Sequence, residues 1–287
     1  MKILVTGCAG MLGAAVMVRL SAAHDLVGID LADGDLTDKS VVDRLLDRHL
    51  PEWVLHCAAW TNVDGAESAQ AESMAANGEA TGHLAAACQR LAAPLTLIST
   101  DYVFDGRVGQ GYVEDGSRDP VNHYGLTKAR AEEYVEQMTT PWQIVRTSWL
   151  FGDGKVNFIK TIRRLLSERE TLRVVDDQEG CPTYVDDLAA VLAFLMDSKQ
   201  VGVFHATNEG ATTWHTLAQE VARCVGADPG RIHACPSSEY PTPAVRPANS
   251  VLLSKRLEEA GCPARPTWQD AVARYVARLE AGDVVFP

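Results

Sequence analysis

Tyr124 and Lys128 stand four residues apart in the run Tyr124-Gly125-Leu126-Thr127-Lys128. On a helix that spacing puts both side chains on one face. A lysine ammonium beside a phenol favours the phenolate, so such a tyrosine passes a proton near neutral pH. Tyr-x-x-x-Lys by itself is common, and it describes a solvated helix face equally well. Its meaning depends on what the rest of the chain places around it.

The chain opens with Lys2-Ile3-Leu4-Val5-Thr6, a short apolar run that reads as a buried parallel strand. Gly7, Gly10 and Gly13 follow at intervals of three, and Met11 to Leu20 reads as a helix. Glycines in that place permit a tight turn, close approach of a pyrophosphate and close packing of helix on strand. The helix start, at Met11, Leu12 and Gly13, offers free amides and positive potential to phosphates. A glycine triplet between a strand and a helix is good evidence for dinucleotide binding; elsewhere it is weak. The second strand, Asp25 to Asp30, ends on a carboxylate 17 residues after Gly13, where it reaches adenosine ribose hydroxyls. No lysine or arginine follows before Lys39, and position 8 is a cysteine. NADH is therefore expected to serve at least as well as NADPH, with Arg19 the one nearby cation that would argue otherwise.

These residues need a rigid scaffold, and the composition supplies one. The chain has 287 residues, 46% hydrophobic and 22% charged, enough for a full α/β core and a second lobe. A net charge of −12 argues against a nucleic-acid partner. The seven cysteines include no closely spaced pair, so neither a zinc cluster nor a disulfide framework is indicated. They read as thiols of a reducing compartment. No leader is expected before the first strand, and the longest apolar stretch, Leu188 to Met196, is too short to span a bilayer. The expected location is cytoplasmic, with no metal and no membrane partner.

Strand and helix patterns alternate as in a Rossmann-like, doubly wound parallel sheet of the α/β class. Trp53 to Ala59 reads as a strand running into a loop, Met74 to Leu91 as a helix, and Leu95 to Thr100 as the next central strand. The Tyr124 helix runs to Met138, and Gln143 to Ser148 is another strand. Beyond residue 150 short strands (Leu172 to Val175, Val203 to Ala206) mix with helices (Val185 to Met196, Trp214 to Val225) and a proline-rich loop, Pro236 to Pro247. The pattern is a cofactor domain followed by a smaller C-terminal substrate lobe, with some chain crossing back. Ligands of such sheets lie at the carboxyl ends of the strands. Thr100, Trp149 and Thr61 each end or follow a strand there, although Trp149 equally suits core packing and Thr61 a turn cap.

At this point longer motifs carry a resemblance. They are Thr6-Gly7-Cys8-Ala9-Gly10-Met11-Leu12-Gly13, Thr61-Asn62-Val63-Asp64-Gly65-Ala66-Glu67, and Ser99-Thr100-Asp101-Tyr102-Val103-Phe104-Asp105-Gly106. With them go Tyr124 to Lys128, Arg146-Thr147-Ser148-Trp149, Asn157-Phe158, Asp177 to Thr183 and Arg246-Pro247-Ala248-Asn249-Ser250. The chain resembles the extended short-chain dehydrogenase/reductases over almost its whole length, and within them the dTDP-4-dehydrorhamnose reductase family. The resemblance implies hydride transfer from NADH or NADPH to the 4-keto carbon of a dTDP-6-deoxysugar, giving dTDP-L-rhamnose. It implies Tyr124 as proton donor, Lys128 lowering the tyrosine's pKa and holding the nicotinamide ribose, and Thr100 bonding the carbonyl oxygen. Donors preplaced where charge develops lower the barrier.

The same resemblance assigns the cofactor to Gly7, Gly10, Met11, Leu12, Gly13, Asp30, Ala58, Ala59, Thr61, Asn77, Tyr124 and Lys128, with Asn77 supporting the lysine through water. It assigns the sugar nucleotide to Asp101, Tyr102, Trp149, Asn157 and Arg246. A planar guanidinium at Arg246 suits paired phosphate oxygens, or else a salt bridge within its own loop. Residues 1–150 then form the NAD(P)-binding domain, completed by part of 172–206, and 151–287 form mainly the nucleotide-sugar lobe. Three positions depart from the family pattern. Gly65 stands where lysine is usual, Ala14-Ala15 where some members carry a metal-bridging glutamate, and His56-Cys57 where small or polar residues are usual. A homodimer is compatible with the family, a metal-linked one is not expected. Two other readings stay open: a 4-ketoreductase for a different dTDP-6-deoxysugar, and a non-catalytic regulatory subunit like that of methionine adenosyltransferase.

Overall fold

The computed structural model describes residues 1–154 and 156–282. Its first part alternates strand and helix: β1 (Lys2–Thr6), α1 (Met11–Leu20), β2 (Asp25–Ile29), α2 (Lys39–His49) and β3 (Trp53–His56). Short helices α3 (Val63–Ser68) and α4 (Gln70–Met74) lead through a π-helical turn at 75–79 into α5 (Ala80–Leu91). β4 (Leu95–Thr100), a 3₁₀ turn at Asp101–Val103, α6 (His123–Glu136) and β5 (Trp142–Thr147) follow. The remainder comprises β6 (Leu150–Phe151), α7 (Phe158–Glu168), β7 (Leu172–Val175), β8 (Glu179–Gly180), β9 (Thr183–Tyr184) and α8 (Val185–Asp197). Then come β10 (Gly202–His205), β11 (Thr212–Thr213), α9 (Trp214–Cys224), β12 (Ile232–Cys235), α10 (Lys255–Glu259) and α11 (Trp268–Ala281).

Six strands form one parallel sheet in the order β10-β5-β4-β3-β1-β2. The order reverses between β1 and β3, which opens a crevice outside their carboxyl ends. Alternation along β1 sends Ile3 and Val5 into the core shared with α1, α8, α9 and α11, and Leu4 into the core shared with α2, α5 and α6. Both faces are covered, so the central strands are buried and largely apolar, their buried polar side chains (His56, Thr96, Gln143, Arg146) being hydrogen-bonded. Of the two short strands expected after residue 170, only the second joins this sheet, as β10 beside β5. β7 pairs instead with β12, under α9.

Several boundaries differ from the sequence reading. The strand expected to run into a loop before Ala59 does so, ending at His56, whereas the helix expected over Met74 to Leu91 is broken by the π turn. Helices α2, α7 and α11 were not anticipated. No helix among the described residues is long and apolar enough to cross a membrane.

Candidate active site

The glycine turn joins β1 to α1. Gly7 has φ +66, and a Cβ there would fall 2.7 Å from the Ala58 amide nitrogen beyond β3. A Cβ on Gly13 would fall 2.1 Å from the Gly7 carbonyl oxygen. Both glycines are thus required for the turn to lie against its neighbours. Gly10 serves a different purpose. It is exposed and sits at the N-cap of α1, which has no side-chain cap, whereas Asp38, Asn122, Asn157, Thr213 and Thr267 cap α2, α6, α7, α9 and α11. The first-turn amides of α1, from Met11 to Gly13, are therefore open to an anion, the arrangement a pyrophosphate needs. Leu12 is buried, so its backbone alone can contribute. Asp30 flanks the turn: its carboxylate accepts from the amides of Ala9 (3.0 Å) and Leu31 (2.8 Å). Ala58, half buried, donates its amide to Thr6 Oγ1 (3.2 Å), while Ala59 and Thr61 are exposed along the same rim. These features fit a nicotinamide dinucleotide.

The proposed chemistry centres on the carboxyl end of β4. Asn122 caps α6 by accepting from the Gly125 amide (2.8 Å). A Cβ on Gly125 would lie 2.0 Å from the Tyr102 carbonyl oxygen, so this glycine lets α6 rest on the 3₁₀ turn. That contact brings Tyr124 to Thr100: the threonine hydroxyl reaches the phenol, and the rings of Tyr102 and Tyr124 meet edge to face at 6.0 Å. Thr100 Oγ1 also donates to Asp101 Oδ1 (2.9 Å). Lys128, 2% exposed, lies one turn further along α6. The structure thus gathers Thr100, Asp101, Tyr102, Tyr124 and Lys128 on the elements the sequence pointed to.

Their electrostatics correct one expectation. Burial and the Asp101 charge push the Tyr124 phenol up to about 12, and the Thr100 hydroxyl offsets this only in part. The expected lowering by Lys128 is not among the influences on the phenol, which keeps its proton. Burial also drives Tyr102 upward, and Asp101 adds to it. Lys128 falls to about 8 because it is buried, while Glu132 and Cys57 pull it back up. Asp101 rises to about 7 through burial, against the pull of the Ser250 and Thr100 hydroxyls.

Behind the lysine lies a network that sequence reasoning missed. Glu132, one turn beyond Lys128, accepts from Arg146 Nε (2.9 Å) and Nη2 (2.6 Å), from Ser99 Oγ (2.6 Å) and from Arg118 Nη1 (3.0 Å). Burial alone would raise its carboxyl, but these partners hold it below the ordinary value. The i, i+4 spacing of Lys128 and Glu132 was a signal that the sequence did offer. Asn77 belongs to the π turn, and its amide is spent. Oδ1 accepts from the Trp60 amide (2.7 Å), and Nδ2 donates to Trp60 O (3.1 Å) and Thr127 Oγ1 (2.9 Å). It therefore ties the loop after β3 to α6 next to Lys128. His56 bridges Thr6 Oγ1 (2.7 Å) and Thr81 Oγ1 (3.1 Å), linking β1 to α5 beneath the cofactor turn. Gly65 has a local cause: a Cβ there would crowd the Asn62 side chain, which caps α3 by accepting from the Gly65 amide (2.9 Å).

The residues expected to meet the sugar nucleotide divide. Trp149 has φ +48, stacks on Trp214 at 3.5 Å and lies over Gly180, where a Cβ would come within 2.5 Å of the indole. It remains half buried. Asn157 is a correction. Its Oδ1 caps α7 by accepting from the Lys160 amide (2.9 Å), and its Nδ2 donates to Gly152 O (2.8 Å) and Tyr275 Oη (3.0 Å). That side chain anchors α11 and is spent on the fold. Arg246 is held by its own loop and by α3: Nη1 donates to Ala244 O (2.8 Å), and its ion pair lies outside the loop. Its two terminal nitrogens grip the Asp64 carboxylate of α3, one at 2.9 Å, and Asp64 also accepts from the Ala244 amide (3.1 Å). The guanidinium also reaches the Tyr102 hydroxyl, so it fastens the proline-rich loop over the site.

A doubly wound sheet with an open glycine turn at its switch point, and a Thr-Tyr-Lys group at the next strand end, defines a Rossmann-type dinucleotide-dependent protein. Comparison with known proteins narrows this. The family model described as RmlD substrate binding domain matches residues 1–281. A dTDP-4-dehydrorhamnose reductase of Streptomyces griseus is 43% identical, over 96% of this chain and 93% of that one. A dTDP-4-keto-6-deoxy-D-glucose reductase of Streptomyces niveus is 39% identical, over 98% of each. The structure of a dTDP-4-dehydrorhamnose reductase from Bacillus anthracis in complex with NADP superposes with a TM-score of 0.93 at 33% identity, covering 96% of this chain and 99% of that one. The chain belongs to the dTDP-4-dehydrorhamnose reductase family.

Proposed function

We propose that this protein reduces the 4-keto group of dTDP-4-dehydro-L-rhamnose to the alcohol of dTDP-L-rhamnose, using NADH or NADPH. The observation that carries the reading is the Thr100–Tyr124–Lys128 group beside an uncapped, glycine-lined helix start, in a chain that matches reductases end to end. The nicotinamide, when bound, supplies the hydride. The protein handles the oxygen left behind. Tyr124, which holds its proton firmly at rest, gives it to that oxygen as negative charge builds there. Thr100 hydrogen-bonds the same oxygen, and Lys128 holds the nicotinamide ribose with a charge that Glu132 sustains. Gly7, Gly10, Gly13 and the amides of Met11 and Leu12 hold the pyrophosphate.

Residues 1–150 with β10 serve the cofactor, and 151–287 mainly the sugar nucleotide. Trp149 offers a ring to the nucleotide sugar, and Arg246, fixed by Asp64, lines its path with Tyr102. Asp30 presents a carboxylate to the adenosine ribose, which favours NADH at least equally with NADPH; the Bacillus anthracis relative holds NADP. The Streptomyces niveus relative supports a second reading, the same reduction on a dTDP-4-keto-6-deoxy-D-glucose.

One assay separates these. Nicotinamide oxidation is followed with each cofactor and enzymatically made dTDP-4-dehydrorhamnose, and the product's configuration is read by NMR. Rapid oxidation yielding dTDP-L-rhamnose is expected, with NADH no slower than NADPH. A different 4-epimer would change the sugar and keep the chemistry. No oxidation despite tight cofactor binding would favour a non-catalytic regulatory role.

A further inference from the structure

One buried titratable group has no part in the chemistry above. Asp101 is 2% exposed, and its Oδ2 has no hydrogen-bond partner. Leaving a buried carboxylate oxygen unpaired is costly, so a retained one has a use or a compensation. The groups facing it come from every neighbouring element. Thr100 and Tyr102 flank it in the chain, Tyr124 approaches from α6, Cys181 from the segment before β9, and Ser250 from the segment before α10. Arg246 reaches Tyr102 behind it, and Ser250 Oγ makes its own hydrogen bond to Glu179 O at 3.3 Å. Between the Asp101 carboxyl and the Tyr124 phenol stands the Thr100 hydroxyl, in contact with both. A hydroxyl has one proton and two lone pairs, so it can accept from one side while donating to the other.

We propose that Asp101 is the proton reservoir of this site, recharging Tyr124 through the Thr100 hydroxyl after each reduction. The inference rests on the reductase reading. The Tyr124 O–H bond breaks as the product O–H bond forms, leaving a phenolate. The Thr100 O–H bond then breaks and the Tyr124 O–H bond reforms. Thr100 takes the Asp101 proton in turn, and the carboxylate recovers one from water when the product leaves. The electron pair enters with the hydride of the reduced nicotinamide, so each turnover consumes one hydride and one solvent proton.

The geometry explains the direction of the resting hydrogen bond. With Asp101 ionised, Thr100 points its proton at Oδ1, away from Tyr124. With Asp101 protonated, the carboxyl donates to Thr100, and the threonine proton is released toward the phenol. Burial, which lifts the carboxyl to about 7, keeps the protonated form populated near neutrality. Lys128, near 8 and one turn along α6 from Tyr124, is the rival source.

The test is stopped-flow oxidation of the reduced nicotinamide with nucleotide sugar in excess. In the unmodified protein the first and later turnovers should run alike below neutrality. As pH rises, later turnovers should slow while the first stays fast, leaving a burst of one equivalent per site. Asp101→Asn should show that burst at every pH, with steady-state turnover lowered on the order of tenfold or more and cofactor binding by fluorescence unchanged. Ser250→Ala removes a hydroxyl that stabilises the carboxylate, so the pH at which the burst appears should move upward. Three results would overturn the reservoir: a first turnover in Asp101→Asn slowed as much as the later ones, no slowing at all, or a burst pH unmoved in Ser250→Ala. The last would assign the recharge to Lys128. Should Asp101→Asn fail to fold, the unmodified protein and Ser250→Ala decide alone. Absence of any oxidation in the unmodified protein would instead defeat the reductase reading.

Discussion

A phenol proposed to give up a proton in one step must hold it until that step arrives. Burial and Asp101 both oppose ionisation of Tyr124, the reverse of what its spacing from Lys128 suggests. Spacing reports which face a residue occupies, while the field at that face comes from other segments of the chain. This is why the places of Thr100, Tyr124 and Lys128 in the fold were legible in the sequence, and why their protonation was not. The buried Glu132–Arg146 pair escaped for a similar reason: its partners lie on α6 and β5, joined only by the folded sheet. Asn157 misled because an asparagine before a phenylalanine also describes a helix cap, and the cap is what it is. Tyr124→Phe removes the proton and little else. Turnover should fall on the order of a hundred- to ten-thousandfold, with cofactor affinity retained by fluorescence titration. Turnover near that of the parent would remove Tyr124 from the mechanism.

At the scale of elements, the site depends on how closely α6 can approach the turn after β4. Sequence patterns found both, since each is a strong run of its own period. The three longest helices missed carried comparable signals. In α7, Phe158, Ile159, Ile162, Leu165 and Leu166 fall on one helical face, and Val41, Val42, Leu45 and Leu46 do the same in α2. The π turn was beyond reach, because nothing in Ala75-Ala76-Asn77-Gly78-Glu79 marks the extra residue; the Asn77 contacts to Trp60 and Thr127 accompany it only in the folded state. Gly125 tests the approach directly. A methyl group there would collide with the Tyr102 carbonyl, and backbone must move. Gly125→Ala should cost about 1–3 kcal/mol in urea unfolding. It should lower turnover on the order of a hundredfold by displacing Tyr124 from Thr100. Unchanged turnover in a destabilised variant would show that the approach matters to folding alone.

At the scale of the whole molecule, three buried groups set how stability follows pH, and they oppose one another. Burial, aided by Lys128, depresses His56 to about 3, and burial with Arg146 does the same to His205. Below their unfolded value of 6.5 the unfolded chain takes up a proton at each, the folded one does not, and stability falls as pH falls. Asp101 acts in the other direction. Unfolded, it ionises above 3.8; folded, it stays protonated to about 7, so stability falls as pH rises between those values. Depressed carboxyls such as Asp64 and Glu132 stabilise above their unfolded values of 3.8 and 4.5 and lose that contribution only at lower pH. Between pH 4.5 and 6.5 two histidine protons less one aspartate proton leave a net uptake of one on unfolding. Unfolding free energy should therefore rise with pH by roughly 1.4 kcal/mol per unit. Asp101→Asn removes the opposing group. Its slope should double to that of two protons, and at neutral pH it should be more stable than the parent, the sign of a carboxyl kept for use at a cost to the fold. Urea unfolding of both proteins across this window measures the difference. A slope in the variant equal to or shallower than the parent's would mean that Asp101 is ionised throughout, and that the fold has found it a counter-charge.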